Sequence, residues 1–389
     1  MNEISVLSNI SFKPEIILQR ERLGDHLCVW YSHATLREFK SHKNENKIKM
    51  SLIPHMVGFI VGHLGKWHFI PKYYAWWARH IAADIVFANK IANDESTIVY
   101  VPTVCKRTIK RAKQRGKKVV LLLANSEPLR EHRRIADEYD LFRIKNRYIY
   151  GNSRYENELA NTIKLADYYI NITKVSQQTY ADAGYDMSKS YVILDTGTNF
   201  SRQPIDLYVN KQKAFISTAF HCFIKGTHRI LLAWKKAGIK DIPLIIVGRI
   251  CEDVEEFIEK YGPFENVIFA GERYDLKEWY KNYDAVGITL SLSEGSGRVT
   301  PEMMSYGFPM ITSPDAVCDL IVDGYNGSVV ETVDENRLVS VFKYYAEDWE
   351  RAHRMRNNVF ESLGDRTVND YSNEIADYLV SLITPNHQL

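Results

Sequence analysis

The chain has 389 residues with 50 Lys and Arg against 48 Asp and Glu, and it is 45% hydrophobic, which predicts two folded domains and excludes a disordered chain. No apolar run of about 20 residues occurs and the N-terminus lacks a basic region followed by an apolar core, so we expect neither a spanning helix nor a secretory signal. Five scattered cysteines without a Cys-x-x-Cys pair indicate reduced thiols in a cytoplasmic protein, and favour neither zinc nor disulfides.

The near-neutral net charge of the chain hides an asymmetry between its two halves. Residues 1–150 hold 26 Lys and Arg against 14 Asp and Glu, whereas the remainder holds 24 against 34. Such polarity predicts that the first half meets an anionic surface, and both nucleic acid and a phospholipid leaflet qualify.

A short strand is expected at Ile4–Leu7, and the segment from there to about residue 60 has no readable pattern. Residues 59–90 then mix basic side chains with aromatic ones, namely Phe59, Trp67, Phe69, Tyr73, Tyr74, Trp76 and Trp77. An amphipathic segment lying in a membrane surface has this composition, and so do aromatic residues packed in a core. Both interpretations are open.

The next part predicts a strand at 97–101, a helix at 108–114 and a buried strand at 117–123. Eight of the thirteen residues from Lys106 to Lys118 are Lys or Arg. A patch facing an anionic leaflet gains roughly 1 kcal/mol per basic residue, and the alternative is an ordinary solvated helix. Nucleic acid is not expected, because no recognised binding motif accompanies the charge. We therefore predict an anionic membrane partner for residues 59–118 and a cytoplasmic, peripheral location on the inner face of the membrane.

Polar residues follow the buried strand, including Asn125 and Glu127. Ligands of open α/β sheets bind beyond the carboxyl ends of the strands, so this loop is a candidate site. Glu127 as a simple helix-start carboxylate is the alternative. The stretch 165–176 is predicted to be a strand followed by a helix cap at Ser176.

The second half begins with a strand at 214–218 and a Lys225-Gly226 pair before a helix. An ammonium group beside a glycine suits a phosphate clamp, and an exposed helix-start lysine is the alternative. Strands are also predicted at 243–248 and 266–271, the latter followed by a loop with Arg273 and Tyr274.

The most informative stretch is Ser291–Ser313. A buried strand leads into a glycine-rich loop, and Pro301 suits the first turn of a helix. This arrangement presents backbone N–H groups to an anion. Glu294 and Glu302 lie eight positions apart at the two ends of the loop, so both can accept hydrogen bonds from the hydroxyls of one ligand.

The pattern Ser-x-x-Glu-Gly-x-Gly followed by Glu-x-Met-x-x-Gly-x-Pro resembles the retaining GT-B glycosyltransferases of family 4. The resemblance implies an α/β chain with the GT-B fold, in which two Rossmann-like domains face each other across a cleft. Residues 1–205 would bind the acceptor, residues 206–367 the nucleotide-sugar donor, and a crossover helix in 368–389 would return to the first domain. No cofactor and no metal are expected, and no Asp-x-Asp motif occurs.

The resemblance also implies roles. Lys225 and the helix start after Arg298 would stabilise the leaving diphosphate, Glu302 would hold the ribose, and Glu294 with the Gly295 and Gly297 amides would orient the sugar. The other implied donor-binding residues are Ser296, Thr300, His221, Arg273 and Tyr274. The acceptor side would hold Asn125, Gly197 and Asn199, and Glu127 stands where the family has a histidine, which makes it the third catalytic candidate.

The chain departs from the family in two other ways. Phe220 and His221 replace an arginine that usually shares the diphosphate, and only Gly24 stands where a glycine-rich acceptor turn would be. We expect a retaining glycosyltransferase that acts on a saccharide or lipid-linked saccharide in surface polysaccharide synthesis. The alternatives are a nucleotide-sugar epimerase of the same fold and a catalytically degenerate partner subunit.

Overall fold

The computed structural model describes residues 3–8, 14–42, 44–66, 74–102, 105–146, 153–195 and 197–383. Within these ranges two parallel β-sheets form the centres of two domains. Their strands are rich in Val, Ile and Leu, as expected for sheets covered on both faces.

The first sheet contains seven described strands in the order β3-β2-β1-β4-β5-β6-β7. The strands are β1 Ile4–Ser8, β2 Leu27–His33, β3 Ile48–Ser51, β4 Ile98–Pro102, β5 Lys118–Leu123, β6 Tyr168–Asn171 and β7 Ser190–Val192. The helices that accompany them are α1 Pro14–Leu23, α2 Leu36–His42, α3 Ile53–Lys66, α4 Tyr74–Asn93, α5 Lys106–Gln114, α6 Pro128–Phe142, α7 Ser153–Ile163 and α8 Lys174–Asp182.

The second sheet contains six described strands in the order β10-β9-β8-β11-β12-β13. The strands are β8 Gln212–Thr218, β9 Leu244–Val247, β10 Val267–Gly271, β11 Tyr283–Thr289, β12 Met310–Thr312 and β13 Gly327–Val329. The helices are α9 Thr227–Ala237, α10 Glu252–Tyr261, α11 Leu276–Tyr280, α12 Val299–Met304, α13 Glu335–Glu347, α14 Glu350–Leu363 and α15 Val368–Ser381.

The C-terminal helix α15 packs against the first domain. Its buried Tyr371, Ile375 and Leu379 share a hydrophobic cluster with Ile4 and Val6 of β1. A capping box at Thr367 starts this helix, because its hydroxyl and the Asp370 carboxylate satisfy backbone N–H groups that would otherwise lack partners.

Helix α6 contributes to the core of the other domain. Its Ile135, Tyr139 and Phe142 belong to the cluster built from α9, α10 and β8, and the ring of Tyr139 stacks on Phe223 with centroids 4.7 Å apart. The helix follows β5 in the first sheet, yet its C-terminal half is buried by the second domain.

One helix start differs from the sequence prediction. Thr173, not Ser176, caps α8, and its Oγ1 accepts a hydrogen bond from the Ser176 N–H at 3.0 Å. The expected cap at Ser176 is therefore wrong by three positions, because the cap residue is the acceptor of this bond and Ser176 is the donor.

Candidate active site

Lys225 and Glu294 form an ion pair at the carboxyl edge of the second sheet. Lys225 ends a short 3-10 turn before α9, and its ammonium contacts Glu294 Oε2. The same oxygen accepts from Ser291 Oγ at 3.1 Å. Burial alone would lower the Lys225 pKa, but the neighbouring Glu294 carboxylate outweighs it and raises that pKa. The pair thus keeps a cation next to an acceptor oxygen, with the lysine side chain 30% exposed.

Gly226 allows this pair to form. It has φ +67°, and a Cβ there would lie 2.0 Å from the Leu290 carbonyl oxygen. Any larger residue would push the start of α9 away from the end of β11, so the sequence places glycine where the two backbones meet.

The loop that carries Glu294 touches the first domain directly. Ser126 Oγ donates to the Glu294 carbonyl at 3.1 Å, and Thr173 Oγ1 donates to the Gly295 carbonyl at 3.1 Å. A Cβ on Gly295 would lie 1.7 Å from the Ala124 carbonyl oxygen. Glycine is therefore required at the point where the two domains approach most closely in this loop.

Glu302 lies in the first turn of α12, a six-residue helix that begins at Val299. Burial raises its pKa to about 7, while Arg298 and Lys277 oppose that effect. Among the described residues its carboxylate has no hydrogen-bond partner, so it is free to accept bonds from a ligand.

The remaining residues of the glycine-rich loop already have protein partners. The Gly297 N–H donates to Cys318 Sγ at 3.1 Å, and Ser296 Oγ donates to the Asp195 carbonyl. Thr300 is buried with its Oγ1 3.3 Å from Thr289 Oγ1. A ligand that accepts a hydrogen bond from the Gly297 N–H would therefore have to replace Cys318 Sγ as the acceptor.

Arg298 is the exposed cation of this loop. Its Nη2 lies 3.6 Å from Asp195 Oδ1, and its side chain is 45% exposed. It stands at the N-terminal end of α12 and is the second basic group, with Lys225, at the edge where a diphosphate is expected.

His221 occupies a place that the sequence did not predict. Its ring is completely buried, with Nδ1 2.9 Å from Thr227 Oγ1 and Nε2 3.0 Å from the Val247 carbonyl. Burial lowers its pKa to about 4, so the ring is neutral at pH 7. The structure thus gives His221 the role of linking β9 to the start of α9, with neither nitrogen facing the cleft.

Glu127 caps helix α6 and is almost fully buried. Its Oε2 accepts from the Arg130 N–H at 2.7 Å, and its own N–H donates to Thr179 Oγ1 at 2.9 Å. This geometry is that of a carboxylate at the start of a helix, which was the alternative to a catalytic role for Glu127. Two further buried carboxylates lie close to it, Glu131 and Glu156, and sequence reasoning missed both because each resembles an ordinary helix acid.

The other predicted residues lie at the margins of the cleft. Tyr274 is 95% exposed and Arg273 is exposed beside it. Asn125 is exposed, with its carbonyl accepting from Ser176 Oγ at 2.9 Å. Gly197 packs on the Thr367 backbone, and the Asn199 carbonyl accepts from Lys277 Nζ at 3.1 Å.

The basic segment is less available than its composition indicates. Lys117 is buried and bonds to Asp94, Ser96 and the Ile91 carbonyl. Lys106 and Lys113 pair with Glu158 and Asp167. Five of the eight basic residues remain without an acidic partner among the described residues, namely Arg107, Lys110, Arg111, Arg115 and Lys118.

The aromatic segment divides into two classes of residue. Trp67, Phe69, Lys72 and Tyr73 lie outside the described residues, whereas the helices on either side are described. An apolar groove of about 460 Å³ runs between α3 and α4, lined by Val57, Val61, Tyr74, Trp77, Ala78, Ile81, Ala82 and Ile85. Within the described ranges, no helix is both long and apolar enough to cross a bilayer, and no group of three or more His, Cys, Asp or Glu could hold a metal ion.

Solved structures share this architecture over the whole chain. HepE of Anabaena, solved with UDP and glucose, is 17% identical with a TM-score of 0.64, and the alignment covers 98% of this chain and 100% of HepE. Sucrose-phosphate synthase from Thermosynechococcus elongatus is 14% identical with a TM-score of 0.64, covering 99% and 100%. The lipopolysaccharide outer core galactosyltransferase WaaB is 16% identical with a TM-score of 0.61, covering 98% and 100%. The fold is GT-B, as the sequence predicted.

A second comparison concerns sequence. Residues 202–362 match the family model for glycosyl transferases group 1. The match covers less than half of the chain and coincides with the second sheet and its helices. No curated protein matches the sequence significantly. The matched domain together with the GT-B fold supports a glycosyltransferase that uses a nucleotide sugar.

Proposed function

We propose that the protein is a retaining, metal-independent glycosyltransferase that moves a sugar from a nucleotide-sugar donor to a saccharide acceptor. The observations that support this most directly are the Lys225–Glu294 pair and the Glu302 carboxylate of the same loop and helix start, which has no hydrogen-bond partner among the described residues. All three lie at the carboxyl edge of the second sheet, where open α/β sheets bind ligands. The loop that carries Glu294 also touches the first domain, which would carry the acceptor.

Each group has one chemical task in this proposal. Lys225 and Arg298 stabilise the negative charge that develops on the leaving diphosphate. Glu302 accepts hydrogen bonds from the ribose hydroxyls, and Glu294 accepts them from the sugar ring. The bond from the anomeric carbon to the diphosphate breaks, the bond to the acceptor oxygen forms on the same face, and a leaving phosphate oxygen takes the acceptor proton.

The first test is a thermal-shift panel with UDP, GDP, ADP, CMP and their sugar conjugates. HepE is solved with UDP, so we expect the uridine series to stabilise the chain. A ligand at about 100 times its Kd adds roughly 2.7 kcal/mol to the free energy of unfolding. No response from any nucleotide, in folded protein, would contradict the proposal and favour a degenerate partner subunit.

A second test uses Glu294→Gln with the responding donor. Because the substitution keeps size and removes the charge that pairs with Lys225, we expect turnover to fall by at least about tenfold while the protein stays folded. A scaffold subunit would be indifferent to this change. An epimerase would instead convert the donor sugar without any acceptor, which the donor-only control detects.

Stereochemistry and metal dependence need separate measurements. NMR of the product should show the anomeric configuration of the donor, and turnover should persist in excess EDTA. An inverted product would contradict the retaining mechanism, and loss of turnover that Mg²⁺ restores would contradict metal independence.

We further propose that the acceptor is lipid-linked, as in surface polysaccharide synthesis, and that α3, α4 and α5 rest on the inner face of an anionic membrane. Met56, Phe59 and Ile60 on α3 are 57–61% exposed. They neighbour Val57 and Val61 of the apolar groove in the sequence. Helix α5, whose Arg107, Lys110 and Arg111 have no acidic partner among the described residues, packs against α4. Exposed apolar side chains beside cations match the surface of an anionic leaflet.

Binding to phosphatidylglycerol vesicles tests this surface. Replacing Arg107, Lys110 and Arg111 by Gln should weaken binding roughly 100-fold, at about 1 kcal/mol per charge. Replacing Lys235, Lys236 and Lys240 of the second domain by Gln is the matched control and should have little effect. Undiminished binding of the first variant would refute the membrane interface.

A further inference from the structure

Three carboxylates are buried together behind the Lys225–Glu294 pair. Glu127, Glu131 and Glu156 are 3%, 4% and 1% exposed, and all belong to the first domain. Charged carboxylates are rarely buried without cations, and the role proposed above for the site uses neither Glu131 nor Glu156.

The three side chains have different partners. Glu127 caps α6, whereas Glu131 Oε2 accepts from Ser293 Oγ at 2.7 Å. Glu156 Oε1 is buried without a hydrogen-bond partner among the described residues. Glu131 is thus the member of the group that bonds to the second domain, and it does so at the residue next to Glu294.

The surrounding charges oppose ionisation of Glu131. Glu294 and Asp315 face it from the second domain, Glu156 faces it from α7 and Tyr180 from α8, while Lys225 is the neighbouring cation. Burial, aided by the Glu294 charge and opposed by the Ser293 hydroxyl, raises the pKa of Glu131 to about 7. Burial is the main cause that raises the pKa of Glu156 to about 9, and the negative charges of Glu131 and Glu127 add to it. Glu156 is therefore neutral at pH 7 and Glu131 is close to half ionised.

We propose that Glu131 is a positioning residue: its Oε2 holds the Ser293 hydroxyl and thereby the turn that sets Glu294 against Lys225. Ionisation of Glu131 adds a second negative charge next to Glu294, and the two carboxylates then compete for Lys225. The inference rests on the proposed glycosyl transfer for its effect on turnover, although its effect on the loop does not depend on catalysis.

The turnover test compares wild type with Glu131→Gln and Glu131→Ala at saturating donor between pH 6 and 9. Wild-type kcat should fall as pH rises through about 7. Glu131→Gln keeps an acceptor for Ser293 and cannot ionise, so it should retain neutral-pH kcat within about twofold and lose that fall. Glu131→Ala should lose roughly tenfold at every pH, because Ser293 loses its acceptor.

Glu158→Gln is the matched control on the exposed side of α7 and should reproduce the wild-type profile. A fall in kcat that persists unchanged in Glu131→Gln, or a Glu131→Ala variant that equals wild type, would overturn the inference.

A readout without substrate separates this inference from the proposed function. In protein labelled with ¹⁵N-glycine, the Gly295 amide shift should titrate near pH 7 in wild type and stay constant in Glu131→Gln. If the Gly295 shift titrates in wild type but not in Glu131→Gln, and no donor turns over, the positioning role of Glu131 holds and the proposed glycosyl transfer is wrong. If the Gly295 titration is the same in both proteins, Glu131 does not position the loop.

Discussion

Burial sets the protonation of the individual acids around the cleft, and the effect differs from one to the next. Glu138 bonds to the buried His228 and Arg229, and these two partners lower its pKa to about 2 despite burial. Burial raises the pKa of Glu302 to about 7, and the charges of Arg298 and Lys277 oppose this only in part. A buried carboxylate without a directly bonded cation thus has a raised pKa, whereas one with such partners has a lowered pKa.

Glu302 gives a prediction at the scale of one residue. Because its ionised form is the stronger acceptor of ribose hydroxyls, nucleotide affinity should rise as pH increases through about 7. Glu302→Gln should bind roughly 10-fold more weakly at pH 8 and lose this dependence. Calorimetric titration with UDP from pH 6 to 8.5 measures both effects, and a pH dependence that survives the substitution would assign it to another group.

At the scale of elements, α6 ties the two domains together. Its first turn belongs to the cleft, with Glu127 and Glu131, and its last turns are buried beside α9 and α10. Glu138 on this helix accepts from Arg229 Nε and Nη2 at 2.6 Å each, and its Oε2 lies 2.6 Å from His228 Nε2. The helix is therefore anchored in the second domain by an ion pair as well as by aromatic packing.

Removing that anchor should be costly. Glu138→Gln leaves the buried Arg229 without its counterion, so we expect the free energy of unfolding to fall by about 3–5 kcal/mol. Asp137→Asn, next to it but exposed, should change the free energy of unfolding by less than about 0.5 kcal/mol. Urea denaturation at pH 7 compares them, and equal stabilities would show that the ion pair contributes little.

The same ion pair has a defined pH dependence. The pKa of Glu138 is lower in the folded state than its ordinary value near 4.5. The contribution of the ion pair to the free energy of unfolding is therefore fully present above pH 4.5. It is lost as pH falls toward about 2. Glu138→Gln should therefore differ from wild type most above pH 5, and the difference should shrink under acid conditions.

At the scale of the molecule, the glycine-rich loop decides how closely the domains approach. Gly295 lies against Ala124, whereas the nearest atom to a Cβ on Gly297 would be Cys318 Sγ at 3.7 Å, an ordinary contact. Of these two glycines, only Gly295 is needed for the close approach of the first domain, because a side chain at Gly297 would not collide with its neighbours.

Gly295→Ala should force the domains apart. Small-angle scattering should show a larger radius of gyration, and kcat should fall by at least about tenfold, because the Lys225–Glu294 pair moves away from the acceptor domain. Gly297→Ala is the control and should keep the wild-type radius. A compact Gly295→Ala protein with normal kcat would show that the interface adapts without opening.

Much of this protein follows from local pattern. Apolar runs bounded by glycine and proline predicted many of the parallel strands, but not β2 and β3, which lie in the segment without a readable pattern. The Glu294-to-Glu302 spacing located the loop, and Lys225-Gly226 located the start of α9, because each depends on residues close together in the chain. The resemblance carried by these motifs predicted the GT-B fold, which the structure and its solved neighbours confirm.

Only the tertiary structure shows which side chains pair with each other. Lys225 meets Glu294 across 69 positions, and Glu131 meets Ser293 across 162. His221 is turned into the core, and Lys117 is buried among acceptors in the segment that composition marked as a surface patch. Pairing and burial depend on which distant backbones fold against each other, and these determine whether a charge is solvated, neutralised or protonated. Sequence spacing determines the local element, and packing determines the chemistry of its side chains.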